Sequence, residues 1–253
     1  MERTALPRAV GVSRWQEARL VALRDESASA RTLRFDVPAW PGHLPGQHVD
    51  LRLTAEDGYT AQRSYSIASP PDVPQLHLAV ERLDGGEVSP YLTDELRRGD
   101  QLELRGPIGG YFVWSAAADR ADGEQRPVQL VAGGSGVAPF LAMVDHHQRQ
   151  GSPTALRLLY STRTAADVIG RDVLGEETTV ALTREQPPGW PGVTGRIDRD
   201  VLARYAFPAA ERPRVFVCGS TPFVEFVAAT LIDLGHDPSA IRLERYGNSE
   251  ELK

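Results

Sequence analysis

Arg63-Ser64-Tyr65-Ser66 ends a run, 58–67, in which polar and apolar residues alternate. Alternation of this period marks a strand. It puts Arg63 and Tyr65 on one face and Ser64 and Ser66 on the other. A planar cation, an aromatic ring and a pair of hydroxyls thus stand side by side. A phosphate-bearing aromatic cofactor could use them all. Arg forks its donors onto phosphate oxygens, Tyr lies flat on a ring and Ser donates to a ring nitrogen. The same residues also suit an edge strand with a solvated arginine and a core tyrosine, so the flanking sequence has to decide.

On either side lie further short segments of strand character, at 18–23, 32–37, 48–54, 76–82 and 101–104. Turn residues separate them, among them Pro45-Gly46, Asp57-Gly58, Pro70-Pro71 and Asp84-Gly85-Gly86. About six strands at this spacing predict a small antiparallel barrel or sandwich. Gly85-Gly86-Glu87-Val88-Ser89 leads into a segment with helical apolar spacing, Val88, Leu92 and Leu96. Such an entry is either an anion site built from free backbone N–H groups or a hairpin turn before a packing helix. Arg105-Gly106-Pro107-Ile108-Gly109-Gly110 either admits a ligand close to the backbone or only turns the chain.

Beyond residue 126 the texture changes to alternating strands and helices. Strands are predicted at 128–132, 156–160, 178–182 and 215–217, and helices from Pro139 to His147 and over 223–234. Thr221 is the expected cap of the second helix, Pro222 suits its first turn, and Gly235 ends it. This pattern predicts a doubly wound parallel sheet, which binds ligands at the carboxyl ends of its strands. Gly133-Gly134-Ser135-Gly136-Val137-Ala138-Pro139 lies where such a fold grips a pyrophosphate. A tight turn without a ligand is the alternative. Dinucleotide sites usually place an acid about 20 residues on. Here Tyr160-Ser161-Thr162-Arg163 contains none, and Thr183-Arg184-Glu185-Gln186 and Arg196 follow. Hydroxyls and arginines around a ribose favour a 2′-phosphate; as plain surface they would simply be solvated.

The expected organisation is a loose arm at 1–14, a barrel domain at 15–115, a linker at 116–126 and an α/β domain at 127–253. At 253 residues, 41% hydrophobic and 25% charged, the chain is long enough for two cores. A net charge of −6 argues against a nucleic-acid surface. The single cysteine, Cys218, leaves no disulfide framework, no Cys-built metal site and no cysteine-ligated cluster within the chain. No apolar run approaches the ~20 residues of a membrane span and no signal peptide opens the chain, so a cytoplasmic location is expected.

Taken in order, these motifs resemble those of the flavin-dependent ferredoxin–NADP(+) reductase superfamily over nearly the whole chain. Arg63-Ser64-Tyr65-Ser66 is similar to its flavin motif, and Pro45-Gly46-Gln47 to the lead-in to that part of the barrel. Gly86-Glu87-Val88-Ser89 resembles its FAD pyrophosphate loop. Gly133 to Pro139 resembles its nicotinamide-nucleotide loop, and Thr183-Arg184-Glu185-Gln186 its 2′-phosphate stretch. Cys218-Gly219 is similar to the pair beside the nicotinamide, and Glu244-Arg245-Tyr246 to the terminal Glu-x-Tyr.

The resemblance implies bound FAD held by Arg63, Ser64, Tyr65, Ser66, Val80, Gly86, Glu87, Val88 and Ser89. It implies NADPH, with NADH less favoured, held by Gly133, Gly134, Ser135, Gly136, Pro139, Arg163, Thr183, Arg184, Arg196, Cys218 and Gly219. Ser66, Cys218, Glu244 and Tyr246 are the implied catalytic set, with no metal. Electrons would pass on to a separate ferredoxin or other iron–sulfur or haem protein. A free-flavin reductase and a redox-sensing flavin-binding subunit are the rival expectations. The chain departs from the pattern in carrying Thr183 for Ser and in continuing past Tyr246, where plant-type members end.

Overall fold

The computed structural model describes residues 14–55, 57–117, 119 and 126–246. Its first half is a six-stranded antiparallel sheet of order β4-β3-β6-β1-β2-β5. The strands are β1 (Gln16–Asp25), β2 (Ala30–Asp36), β3 (His48–Thr54), β4 (Thr60–Ser66), β5 (Leu76–Glu81) and β6 (Gln101–Ile108). An antiparallel bridge between Ile67 and Leu78 joins the end of β4 to β5 and closes the sheet into a barrel. Alternation does the sorting: Ala18 and Leu20, Leu33 and Phe35, Val49 and Leu51, Leu102 and Leu104 all point into one buried cluster. Val88, Leu92 and Leu96 plug it, as their spacing predicted, through a short helical turn at Tyr91–Glu95. Fully burying each such side chain contributes about 1.5–3 kcal/mol.

The second half is a six-stranded parallel sheet of order β10-β9-β8-β7-β11-β12. It comprises β7 (Val128–Gly133), β8 (Leu156–Thr162), β9 (Thr178–Leu182), β10 (Val193–Thr194), β11 (Arg214–Ser220) and β12 (Ile241–Tyr246). β7 is buried along its whole length, as a central parallel strand must be. Helix α1 (Ala138–Arg149) packs on one face of the sheet, through Phe140, Met143 and Val144. Helices α2 (Arg199–Tyr205) and α3 (Thr221–Asp233) cover the other, through Leu202, Val224, Val227 and Leu231. Chain order runs outward from β7 to β10 on one side and through β11 to β12 on the other, so the switch point lies between β7 and β11.

Barrel and sheet share a core. Ala30, Ala68 and Ala79 of the barrel half belong to the same apolar cluster as α1 and β7, together with Phe112 and Trp114. Of the stretch expected to be a linker, Ala116 and Asp119 are buried, and Trp114 Nε1 donates to Asp119 Oδ2 at 2.7 Å. The polar composition of 116–126 thus hides an anchored start. Nearly all of the expected arm, 1–13, and the residues after Tyr246 lie outside the described residues. Among the described residues no helix is long and apolar enough to cross a membrane. At α3 the cap differs from expectation: Ser220 is the N-cap without a side-chain bond, and Thr221 and Pro222 begin the helix.

Candidate flavin and nucleotide site

On the barrel, β4 holds Arg63 at the surface with its side chain 53% exposed. Its nearest counter-charge is Glu87, with Nη2 donating to Oε2 at 3.3 Å, and Tyr59 donates its hydroxyl to Oε1 of the same carboxylate at 2.9 Å. A long, exposed ion pair of this kind is worth ~0–1 kcal/mol, little enough for a phosphate to displace it. Tyr65 packs against the barrel core, and burial raises its phenol well above the usual value, so the ring stays neutral. Ser66 is half-buried, and its hydroxyl makes no hydrogen bond among the described residues. Ser64 points the other way: it donates to Asp50 Oδ1 at 2.6 Å, and Asp50 is paired with Arg105. Val80 is fully buried in the barrel core, where alternation along β5 turns its side chain inward. In the loop before the helical turn, Ser89 Oγ accepts from Leu83 N at 3.0 Å, and a Cβ on Gly86 would stand 3.1 Å from Leu83 O.

Across from it, the ends of β7 and β11 form a glycine cradle. A Cβ on Gly219 would lie 3.4 Å from the α-carbon of Gly133, and the Phe223 ring of α3 covers both positions. A Cβ on Gly136 would fall 2.5 Å from Cys218 O, so the short helical turn at Gly134–Val137 lies flush on the β11 backbone. Gly134 has φ +56°, a left-handed conformation that glycine adopts at least cost. Pro139 sits in the first turn of α1, where its missing N–H costs nothing.

Parallel register sets Cys218 opposite Glu244 and Ser220 opposite Tyr246. Burial and the neighbouring Glu244 push the Cys218 thiol well up, which keeps it protonated and non-nucleophilic. Burial alone pushes Glu244 up to about 7, and its Oε2 has no hydrogen-bond partner among the described residues. Tyr246 donates to Gly133 O at 2.6 Å. Its phenol is raised by burial and by the charge of Glu81, opposed by the Ser135 hydroxyl. Glu81, at the end of barrel strand β5, lies 3.8 Å from the Cβ position of Gly134. No motif marks Glu81 in the sequence; only the approach of the barrel to the glycine loop reveals it.

At the adjoining strand ends, Arg184 N donates to Arg163 O at 2.8 Å and Thr183 N to Thr162 O at 2.9 Å, which brings the ends of β8 and β9 together. Glu185 accepts from Ala165 N at 2.7 Å and forms no ion pair with Arg184 among the described residues. Arg163, Arg184 and Arg196 are exposed, and none of these guanidiniums is ion-paired among the described residues. The groups therefore fit FAD and a nicotinamide nucleotide. A displaceable counter-ion holds the barrel arginine, glycines let the backbones of β7, β11 and the turn at 134–137 come close together, and one oxygen of a buried carboxyl lacks a hydrogen-bond partner among the described residues.

Comparison with known proteins agrees. Residues 17–113 match the oxidoreductase FAD-binding domain family, and residues 130–229 match the oxidoreductase NAD-binding domain family. Ferredoxin--NADP reductase B of Sorangium cellulosum is 34% identical over 246 residues, covering 91% of this chain and 97% of that protein. The glycine betaine monooxygenase reductase subunit of Chromohalobacter salexigens is 31% identical over 242 residues, covering 90% of this chain. The toluate 1,2-dioxygenase electron transfer component of Pseudomonas putida is 28% identical, again covering 90%. The chain spans 63% and 64% of the length of these last relatives. Among solved structures, the FAD/NAD-binding domain of nitric oxide dioxygenase from Vibrio cholerae superposes with TM-score 0.80 at 23% identity, over 92% of this chain and 99% of that one. A ferredoxin NADP+ reductase from Neisseria gonorrhoeae with bound FAD and NADP gives 0.77 at 20%, over 91% and 98%. The similarity of fold, of both domain families and of a full-length relative places the chain in the ferredoxin–NADP(+) reductase superfamily of FAD- and NAD(P)-binding oxidoreductases.

Proposed function

We propose that the protein is an FAD-dependent reductase that takes reducing equivalents from NADPH and passes them to a separate electron carrier, a ferredoxin or another iron–sulfur or haem protein. One observation carries the proposal: barrel and glycine cradle meet, with Glu81 at the end of β5 beside Gly134, so ligands gripped by each half would face one another. Bound FAD supplies the chemistry that converts a two-electron donor into single electrons. The chain supplies position. Arg63 and the loop at Gly86, Glu87, Val88 and Ser89 hold phosphates, Tyr65 flanks the ring and Ser66 offers a hydroxyl. Gly133, Gly134, Ser135 and Gly136 admit the nucleotide's pyrophosphate, and Arg163, Thr183, Arg184 and Arg196 face its 2′-phosphate. Cys218 packs as a neutral thiol, Glu244 holds a proton near pH 7, and Tyr246 closes the mouth.

The names of the Pseudomonas and Chromohalobacter relatives, electron transfer component and reductase subunit, support a separate acceptor. The test is an absorption spectrum of the purified protein through gel filtration and then through NADPH and NADH titration. Retained flavin, bleached by NADPH at lower concentration than by NADH, is the expected result. Flavin lost in filtration favours a free-flavin reductase, and flavin that neither nucleotide bleaches favours a redox-sensing subunit.

A further inference from the structure

Away from the flavin site, the carboxylate of Glu26 joins the two halves of the molecule. Glu26 lies in the turn between β1 and β2, and its side chain is only 4% exposed. Oε2 accepts from the backbone N of Gly170 at 2.9 Å, in the loop that follows β8. Oε1 accepts from Thr32 Oγ1 at 2.7 Å and from Arg24 Nε at 2.9 Å. Arg24 in turn forks onto Asp172 of that loop, at 2.6 and 2.8 Å. Burying a carboxyl group is costly unless its oxygens are hydrogen-bonded, and here three kinds of donor satisfy them, one from across the domain boundary.

The loop is also in contact on its other side. Ile169 N donates to the Tyr160 hydroxyl at 3.3 Å, and Gly170 lies against Leu141 of α1 with no room for a side chain. Upstream, the same loop begins at Arg163 and gives Ala165 N to Glu185, the neighbour of Arg184. Next to the Glu26 contacts is a cavity of about 530 Å³, lined in part by Arg24, Ala166, Arg171 and Asp172. Polar contacts rather than close packing therefore fasten this edge of the domain boundary.

We infer that Glu26 is a positioning residue. With Arg24 and Asp172 it fastens the loop after β8 to the barrel, and so fixes the registration at which the nucleotide half meets the flavin half. This inference rests on the functional reading above. It assigns Glu26 to the rate of the step between the ligands rather than to the affinity for either.

The experiment compares FAD-loaded wild type with Glu26→Gln, which keeps the shape but sets an amide against the Arg24 guanidinium. Expected are a tenfold or greater gain in hydrogen exchange at the Gly170 amide and a fivefold or greater fall in the limiting rate of flavin reduction. The flavin spectrum, FAD affinity and nucleotide dissociation constant should change less than threefold. Asp172→Asn, at a half-exposed position that folding tolerates, should move exchange and rate in the same direction by less. Unchanged exchange at Gly170, or lost protection with an unchanged limiting rate, overturns the inference. A rise in nucleotide dissociation constant with the limiting rate intact also overturns it. If wild-type flavin is reduced by neither nucleotide, the functional reading itself has failed, a result distinct from these.

Discussion

Charge and burial decide what single residues do. Arg184 is exposed and unpaired among the described residues, and Glu185, the obvious competitor, is committed to Ala165 N. A charge-assisted hydrogen bond contributes about 1.5–3 kcal/mol. Arg184→Ala should therefore raise KM for NADPH by roughly 10- to 100-fold and leave NADH nearly unchanged, as measured by steady-state dye reduction. Equal losses with both nucleotides would remove Arg184 from the 2′-phosphate site. Glu244 makes a pH prediction. Its ordinary value of 4.5 is pushed up to about 7 by burial. Between those limits the unfolded chain has released this proton and the folded protein keeps it, so stability falls as pH rises through the window and the loss is complete above it. At 1.36 kcal/mol per pH unit, the loss is roughly 3 kcal/mol. Glu244→Gln should abolish that slope in urea titrations of the flavin-free protein from pH 5 to 8, gaining most at pH 8. Parallel curves for variant and wild type would show that Glu244 titrates normally.

At the level of elements, the glycine cradle depends on backbone contact. The Cβ that alanine would bring to position 136 would fall 2.5 Å from Cys218 O and 2.8 Å from Gly219 N, atoms of a central strand that cannot move aside. Overpacking of this kind costs typically 1–3 kcal/mol. Gly136→Ala should lower the urea midpoint by a corresponding amount and weaken nucleotide binding, whereas Gly110→Ala, with nothing within 4 Å, should do neither. A fully stable Gly136→Ala with intact nucleotide affinity would mean that the turn at 134–137 is free to shift.

Local signals made much of this scale legible. The strands at 48–54 and 178–182 coincide with expectation, because period-2 alternation and flanking turn residues are contained in a few neighbouring positions. β12 went unrecognised as a strand: Ile-Arg-Leu-Glu-Arg-Tyr is rich in charge, and pairing with β11 is what makes it one. β10, at Val193–Thr194, is too short for a period, and α2 is only Arg199–Tyr205. The site divides the same way. The arginine of β4 and the glycine loop are contiguous motifs, whereas Glu81 and Glu26 meet partners far along the chain.

Over the whole molecule, the halves are coupled, and cofactor binding should be felt throughout. The residues assigned to FAD lie on the barrel, yet Ala30, Ala68 and Ala79 tie that half into the apolar cluster beneath α1 and β7. A ligand that binds only the folded protein stabilises it by RT ln(1 + [L]/Kd), about 2.7 kcal/mol at a hundredfold excess over Kd. For a chain of this size, 1 kcal/mol moves Tm by about 2–4 °C. Stripping FAD should therefore lower Tm by roughly 5–10 °C, and adding it back should restore the value in a concentration-dependent way. Because the shared core couples barrel and sheet, a single melting transition should shift, rather than the barrel melting apart from the sheet. Arg63 supplies the discriminating arm. In the absence of FAD its only ionic partner among the described residues is the exposed Glu87, so Arg63→Ala should leave the flavin-free Tm almost unchanged. With FAD, loss of a charged contact to phosphate should raise the concentration needed for half the Tm gain by about tenfold or more. Differential scanning fluorimetry across an FAD series, on wild type and Arg63→Ala together, makes the measurement. A Tm indifferent to FAD would refute the coupling, and identical FAD responses in the two proteins would remove Arg63 from the phosphate site while leaving the coupling intact.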